Sequence, residues 1–403
     1  MNYDHIFSTH LQSLKAEGRY RIFADLERLV GEAPYALWHT PEGKKKVIVW
    51  CTNDYLGMSQ HPEVIEAMMK AATRYGAGSG GTRNISGTSH SHILLEREVA
   101  DLHGKEKGLI FTSGYNANEA TISALAQALP NCVVLSDEKN HASIIQGIRS
   151  GKSERRIFRH NNLADLRENL ESLDPKRPKI IACISVYSMD GDIAPLEGIC
   201  DLAEEFKAIT YLDEVHAVGL YGPQGAGIAA QYGLQDRIDI IQANFAKAYG
   251  VIGGYITGSE LLVDYVRSVA SGFIFTTSLP PGVVAAAHKS ISILRGNTIL
   301  RDKLWHNVEM LKGRLEKGIV PFQRVSSHIV PIIVGNAAQC HDVCDILRRE
   351  HDIYVQPINY PTVPRGQERL RLTVTPSHTP EMIHHLVDAL EDVWGRLNLS
   401  LAA

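Results

Sequence analysis

Cysteine is scarce, with six residues in 403, too few and too scattered for a disulfide-stapled scaffold. A chain of this length builds its core without one. Cys132, Cys183 and Cys200 lie in apolar runs and read as buried thiols. Cys340 and Cys344 sit four apart on a predicted helix without a second pair, so no disulfide and no metal site is expected. Positive charge is not in excess either: 41 Lys and Arg against 45 Asp and Glu give −4, which is no footprint for nucleic acid or an anionic membrane. No run reaches the roughly 20 apolar residues of a membrane span. The polar opening segment, with Asp4, His5, Lys15, Glu17 and Arg19, carries no apolar signal core. The protein is expected to stay in the cytoplasm, where it is made.

What is present is an ordinary globular composition, 44% hydrophobic and 21% charged. Residues 1–46 read as an N-terminal arm: a helix over 5–14, a second helical stretch over 23–29, and a loop around Pro34 and Pro41. Lys44, Lys45 and Lys46 read as a solvated loop end before a short strand at 47–50. From 47 to 290 short apolar strands alternate with amphipathic helices, the pattern of a large α/β domain with a mostly parallel sheet covered by helices. Strands are predicted at 109–112, 132–135, 156–158, 179–185, 209–212, 238–243 and 251–257. Residues 291–403 read as a smaller α+β domain, with helices at 300–317, 342–350 and 380–397 and strands at 328–334 and 370–374.

Ligands of open parallel sheets bind beyond the carboxyl ends of the strands. There this sequence sets Ser113-Gly114-Tyr115, then Ser136 followed by His141, then Ser188, then Asp213-Glu214-Val215-His216, then Lys247. Each alone is unspecific. Together they supply what pyridoxal phosphate needs. Lys247 offers an amine for covalent attachment, Asp213 an anion for the ring nitrogen, and His216 a partner for the phenolic oxygen. Ser113, Gly114 and Tyr115 open a helix whose N–H groups can seat a phosphate, and His141 can lie flat on the ring. The Gly76–Gly81 run has Gly-x-Gly-x-x-Gly spacing, but it follows a predicted helix at 63–74 instead of a strand, which argues against a dinucleotide site. It reads instead as a close-approach loop that delivers Thr82 and Asn84.

Several longer runs carry a resemblance: Asn53-Asp54-Tyr55-Leu56-Gly57, Thr82-Arg83-Asn84-Ile85-Ser86-Gly87-Thr88, Asn140-His141-Ala142-Ser143, Asp213-Glu214-Val215-His216-Ala217, Ala246-Lys247-Ala248-Tyr249-Gly250 and Asn359-Tyr360-Pro361-Thr362-Val363-Pro364-Arg365-Gly366. Across nearly the whole chain the sequence resembles the α-oxoamine synthase family, pyridoxal-phosphate enzymes of the transferase fold type I. The 82–88 and 359–366 runs are similar to those of members that condense glycine with succinyl-CoA to 5-aminolevulinate, the first step of tetrapyrrole (heme) synthesis.

The resemblance implies catalytic roles for Lys247, His141, Asp213 and His216. It implies that Ser136, Ser188 and Asn244 join the cofactor contacts and that Arg371 grips the amino-acid carboxylate. It further implies Arg21, Thr82, Asn84 and Ile85 around the succinyl tail, Asn53 near the reacting groups, and a homodimer in which Thr276 or Thr277 reaches the neighbour's phosphate. The 359–366 loop is a candidate lid. Asn244 replaces the threonine usual at a phosphate contact, Ile184 a usual glutamate, and residues 370–378 keep Arg371 but not the usual continuation. Two alternatives therefore stay open: a paralogous role in secondary metabolism that feeds an aminocyclopentenone unit, and another acyl-CoA.

Overall fold

A computed structural model describes residues 1–400. The chain forms two compact units. The larger comprises Met58–Tyr187 and Asp192–Arg301; the smaller comprises Met1–Gly57, Ser188–Gly191 and the chain from Asp302 onward. Among the described residues no helix is long and apolar enough to cross a membrane.

The larger unit is built on a seven-stranded sheet. Its order is Lys107–Phe111, Gly254–Gly258, Ile240–Asn244, Ile209–Asp213, Lys179–Ile184, Val133–Asp137 and Glu154–Phe158. The last five strands pair in parallel, and Gly254–Gly258 runs antiparallel to both its neighbours. The sheet is thus mostly parallel, as the strand pattern predicts. The inner strands, such as Val133–Asp137 and Lys179–Ile184, are buried along their whole length, which is why they read as continuous apolar runs. The edge strand Glu154–Phe158 instead carries Glu154, Arg155 and Arg156, which block further strand addition. Cys132, Cys183 and Cys200 are buried.

Two helices bear directly on the strand ends. Gly114–Ala128 and Ala142–Gly151 pack closely because glycines face the contact. A Cβ on Gly147 would come within 3.0 Å of Ile122 Cβ, and one on Gly151 within 2.7 Å of Ala126 Cβ. This close approach lets short polar side chains on the two helices reach one another.

In the smaller unit the structure corrects three expectations. Residues 23–29 are not helical: Asp25–Glu27 is a strand paired antiparallel with Tyr35–Thr40. The latter occupies the segment read as a loop between Pro34 and Pro41, and pairs in turn with Gly43–Val49. The prolines bracket the strand, where their missing N–H costs nothing, and the pairing overrides the local helical pattern. The lysine run lies within Gly43–Val49, where Lys44 pairs with Glu27 at 3.0 Å and Lys46 with Glu32 at 2.8 Å. The remaining elements fall where predicted: Tyr3–Ala16, Ile299–Leu315, Ile329–Ile333, Ala337–Glu350, Arg369–Thr373 and Pro380–Arg396.

An ion cluster at the sheet edge of the larger unit ties strand ends together. His160 meets Asp137 Oδ1 through Nδ1 at 2.9 Å and Asp192 Oδ2 through Nε2 at 2.5 Å. Burial opposes the charge, but the two carboxylates outweigh it and raise the imidazole to about 9. Its stabilisation is therefore complete below the unfolded value of about 6.5 and fades as pH rises through about 9. Urea unfolding from about pH 6 to about pH 10 should show this decline in the wild type, and His160→Asn should be less stable at the acid end while losing the difference at the alkaline end.

Candidate active site

The seat for an anion is built where the Gly114–Ala128 helix begins. Ser113 is its N-cap, its Oγ accepting from Asn116 N–H at 3.1 Å, so the first N–H groups and the helix dipole face outward past the cap. A Cβ on Gly114 would lie 2.9 Å from Asn244 Nδ2, and one on Gly254 would lie 2.5 Å from the Ser113 carbonyl oxygen. Only glycine lets the strand ends and helix start approach this closely. Asn244 Oδ1 accepts from Ala246 N–H at 3.1 Å, which leaves its Nδ2 toward Gly114. The amide that replaces the usual threonine hydroxyl thus still presents a donor at the helix start.

Lys247 is half-buried on a closed loop after Ile240–Asn244. Gly250 N–H donates to the Lys247 carbonyl at 3.0 Å and Val251 N–H to the Phe245 carbonyl at 2.8 Å. Gly250 has φ +73° and would drive a Cβ to 2.2 Å from Ser59 N, so the loop is fixed from both sides.

Asp213 ends the central strand Ile209–Asp213 and is only 4% exposed. It accepts from Asn118 Nδ2 and from Val215 N–H, both at 2.9 Å. Burial raises its carboxyl above the ordinary range; the Asn118 and Val215 hydrogen bonds and the charges of His141 and Lys247 pull it back. Its neighbour Glu214 is fully buried and raised to about 7 by that burial. Glu214 takes the Ala229 N–H at 2.7 Å, the Ile228 N–H at 3.1 Å and the Ser185 hydroxyl at 2.5 Å, so it anchors the segment that carries half-buried His216. His141 is the N-cap of Ala142–Gly151 and meets the edge of the Tyr115 ring at 6.3 Å. Ser136 lies deeper, with Asn140 Nδ2 donating to its hydroxyl at 3.0 Å. Asn118 and Tyr211 carry no sequence signal of their own and emerge only from the packing.

The glycine-rich run places the other predicted residues of the larger unit. Gly76 (φ +91°) and Gly80 (φ +79°) turn the chain, Thr82 bridges Thr277, and Ser278 N–H donates to the Gly81 carbonyl at 3.0 Å. The Arg83–Gly87 turn that follows leaves Asn84 exposed and Ile85 78% exposed. Thr276 donates to the Gly272 carbonyl at 2.6 Å.

In the smaller unit Arg371 is 6% exposed, and all three of its nitrogens are met by neutral oxygens. Nε donates to the Ser188 carbonyl at 2.5 Å, Nη1 to Asn53 Oδ1 at 3.0 Å and Nη2 to the Tyr55 hydroxyl at 2.6 Å. Arg369, two residues away, is instead neutralised by Asp190 at 3.1 Å. Exposed Arg21 donates to Thr362 Oγ1 at 3.2 Å. Arg365 pairs with Glu17 at 2.8 Å, and Arg19 and Arg365 lie over the Tyr360 ring at 4.8 and 5.0 Å.

A buried acid held by neutral donors, an amine on a rigid loop and a helix start cleared by glycines fit a cationic ring that bears an aldehyde and a phosphate. Pyridoxal phosphate is that group. The aminotransferase class I and II model matches residues 45–390. The chain is 54% identical over 402 residues to the 5-aminolevulinate synthase of Rhizobium meliloti, with 100% of each covered. It is 52% identical over 401 residues to that of Bradyrhizobium diazoefficiens, with 100% of this chain and 98% of the other covered. Among solved structures, the Sphingomonas wittichii serine palmitoyltransferase is 29% identical with a TM-score of 0.91, covering 98% of both chains. The chain is a pyridoxal-phosphate-dependent transferase of fold type I, a member of the aminotransferase class I and II family, and within that family it belongs to the 5-aminolevulinate synthases.

Because the folded apoprotein binds a proton at Asp213 more tightly than the unfolded chain does, its stability falls as pH rises from about 3.8 through the elevated value. Asp213→Asn should remove this fall and leave the apoprotein more stable at neutral pH, seen by urea unfolding. The same variant should bind pyridoxal phosphate about 10- to 100-fold more weakly by fluorescence titration, the loss of one charged hydrogen bond.

Proposed function

We propose that this chain condenses glycine with succinyl-CoA, releasing coenzyme A and carbon dioxide and yielding 5-aminolevulinate for tetrapyrrole synthesis. The observation that carries the amino-acid half is Arg371, a buried guanidinium whose three nitrogens donate to neutral oxygens, and so suited to a substrate carboxylate. Lys247 Nζ would hold the cofactor, and Asp213 would fix its ring nitrogen and keep it protonated. The bound cofactor supplies an electron sink that lets the glycine α-carbon lose a proton and, later, lets the carboxylate leave as carbon dioxide. Once the glycine amine has displaced it from the cofactor, the freed Lys247 Nζ would take the α-proton and afterwards return one to carbon. With that proton removed, the glycine α-carbon would form a bond to the thioester carbonyl carbon, whose C–S bond would break to release coenzyme A. His141 steadies the charge that develops on the acyl oxygen. His216 and Ser188 would meet the phenolic oxygen, and Ser113, Gly114, Tyr115 and Asn244 would receive the phosphate.

Arg21, Thr82, Asn84 and Ile85 bind the succinyl tail, with Asn53 near the reacting groups. Exposed Ile85 and the 80% exposed Phe275 support a second copy of this chain as the cover for that face, with Thr276 or Thr277 reaching the other copy's phosphate. The enzyme works in the cytoplasm. The 359–366 loop, pinned to residues 17–21 by Arg365 and Arg21, closes over the acyl-CoA.

Purified protein supplied with glycine and a panel of acyl-CoAs should make 5-aminolevulinate from succinyl-CoA, identified by mass; no product from that pair defeats the proposal. Arg371→Lys should raise the KM for glycine about 10- to 100-fold and leave that for succinyl-CoA unchanged, because an ammonium cannot make the paired contact. Lys247→Ala should lose the borohydride-trapped label and about 10²- to 10⁴-fold in kcat. Hydrogen exchange in residues 359–366 should slow when succinyl-CoA is added; unchanged exchange refutes the lid.

A further inference from the structure

The predicted roles of His141 and Asp213 assign neither a protonation pattern nor the group that holds them in place. Both are answered by a side chain outside every sequence motif. Asn118 is buried at 2% exposure on the Gly114–Ala128 helix. Its Nδ2 lies 2.9 Å from Asp213 Oδ2 and 3.0 Å from Ser143 Oγ, and its Oδ1 lies 2.8 Å from the Tyr211 hydroxyl.

The directions of these bonds follow from the donor inventory. An ionised carboxylate only accepts, so the atom facing Asp213 must be the amide NH2. The carbonyl oxygen of Asn118 then faces Tyr211, whose hydroxyl donates and locks the amide against flipping. The second amide hydrogen goes to Ser143 Oγ. Ser143 therefore accepts from Asn118 and has its own proton to give, and the atom that stands ready is His141 Nδ1 at 2.7 Å. The Ser143 backbone N–H is aimed at the same nitrogen, at 3.3 Å. Two donors converge on Nδ1, so the neutral ring carries its proton on Nε2.

We infer that Asn118 is a positioning residue whose single amide holds the ring-nitrogen acid and, through Ser143, fixes His141 as the Nε2–H tautomer. This rests on the cofactor site proposed above. His141 then faces its ligand as a hydrogen-bond donor. It can stabilise a developing oxyanion but cannot act as a base, which leaves proton removal to Lys247. The geometry also separates two effects that a simple packing role would merge. Asn118 touches both arms, whereas Ser143 touches only the histidine arm.

The test compares Asn118→Ala and Ser143→Ala holoenzymes with the wild type. Asn118→Ala should bind pyridoxal phosphate about 10- to 100-fold more weakly, since Asp213 loses its side-chain donor, and should change the pH dependence of the cofactor's absorbance. Ser143→Ala should bind the cofactor within about twofold of wild type yet lower kcat by about tenfold without raising the KM for glycine, and Ser143→Thr should restore it. Selective ¹⁵N-histidine spectra should show Nε2 protonated in the wild type and a mixed tautomer in Ser143→Ala. A proton on Nδ1 in the wild-type ring, equal loss of cofactor affinity in both alanine variants, or both variants behaving as wild type overturns the inference. Cofactor titration and the nitrogen spectra need no turnover. A protein that passes them yet makes no product from glycine and succinyl-CoA keeps the inference and loses the proposed reaction.

Discussion

A carboxylate loses most of its hydration when it is buried, and it stays ionised only if the protein returns donors or positive charge in exchange. Asp213 is placed under that constraint at the end of a central strand, and much of the larger unit can be traced to it. Two neutral donors answer part of the demand, and the charge of Lys247 answers a little more. The remainder would be met by a cationic ring in the cofactor site proposed above. A stronger internal partner, such as an arginine, would stabilise the apoprotein and remove the reason to bind the cofactor's nitrogen. The contrast with Glu214 is instructive. It is buried next door and satisfied by two backbone N–H groups and a hydroxyl, and so its work is to hold the chain in place.

The donors of Asp213 depend in turn on close helix packing. Asn118 can reach Ser143 on the neighbouring helix because Gly147 and Gly151 leave no side chain in the contact. At the other end of the Gly114–Ala128 helix, Gly114 and Gly254 let its first turn settle against Asn244 and the strand ends. Small residues at both places let the backbones approach closely enough for these polar side chains to meet. Catalysis of this kind depends on such preorganisation.

This dependence explains what could and could not be read from the sequence. The parallel sheet was legible because doubly covered strands are continuous apolar runs, and the row of polar residues after them followed from the architecture. Lys247, Asp213 and His141 were accordingly in view. Asn118 was not, because an asparagine inside a helical pattern carries no local sign that its amide will meet an acid 95 residues later in the chain. Tyr211 reads as one more apolar strand residue until its hydroxyl is placed against that amide. The strands at Asp25–Glu27 and Tyr35–Thr40 were missed for a related reason: pairing with a neighbouring segment decides their conformation, and the local pattern of Leu26 to Leu29 suits a helix equally well. His160 was overlooked because neither of its two carboxylate partners is near it in sequence.

The smaller unit repeats the logic of Asp213 with the opposite sign. Arg369 and Arg371 leave the same strand on the same face, since side chains two apart share a side. One is neutralised by Asp190, and the other is given a carbonyl, an amide oxygen and a phenol. Those partners fix the orientation of the Arg371 guanidinium without cancelling its charge, and oriented charge is what distinguishes a binding residue from a structural ion pair. Asp213 and Arg371 are thus each buried and held by neutral hydrogen-bond partners. In the reaction proposed above, a protonated heterocycle would match the acid and an amino-acid carboxylate the guanidinium, so the cofactor and the substrate would supply the two charges.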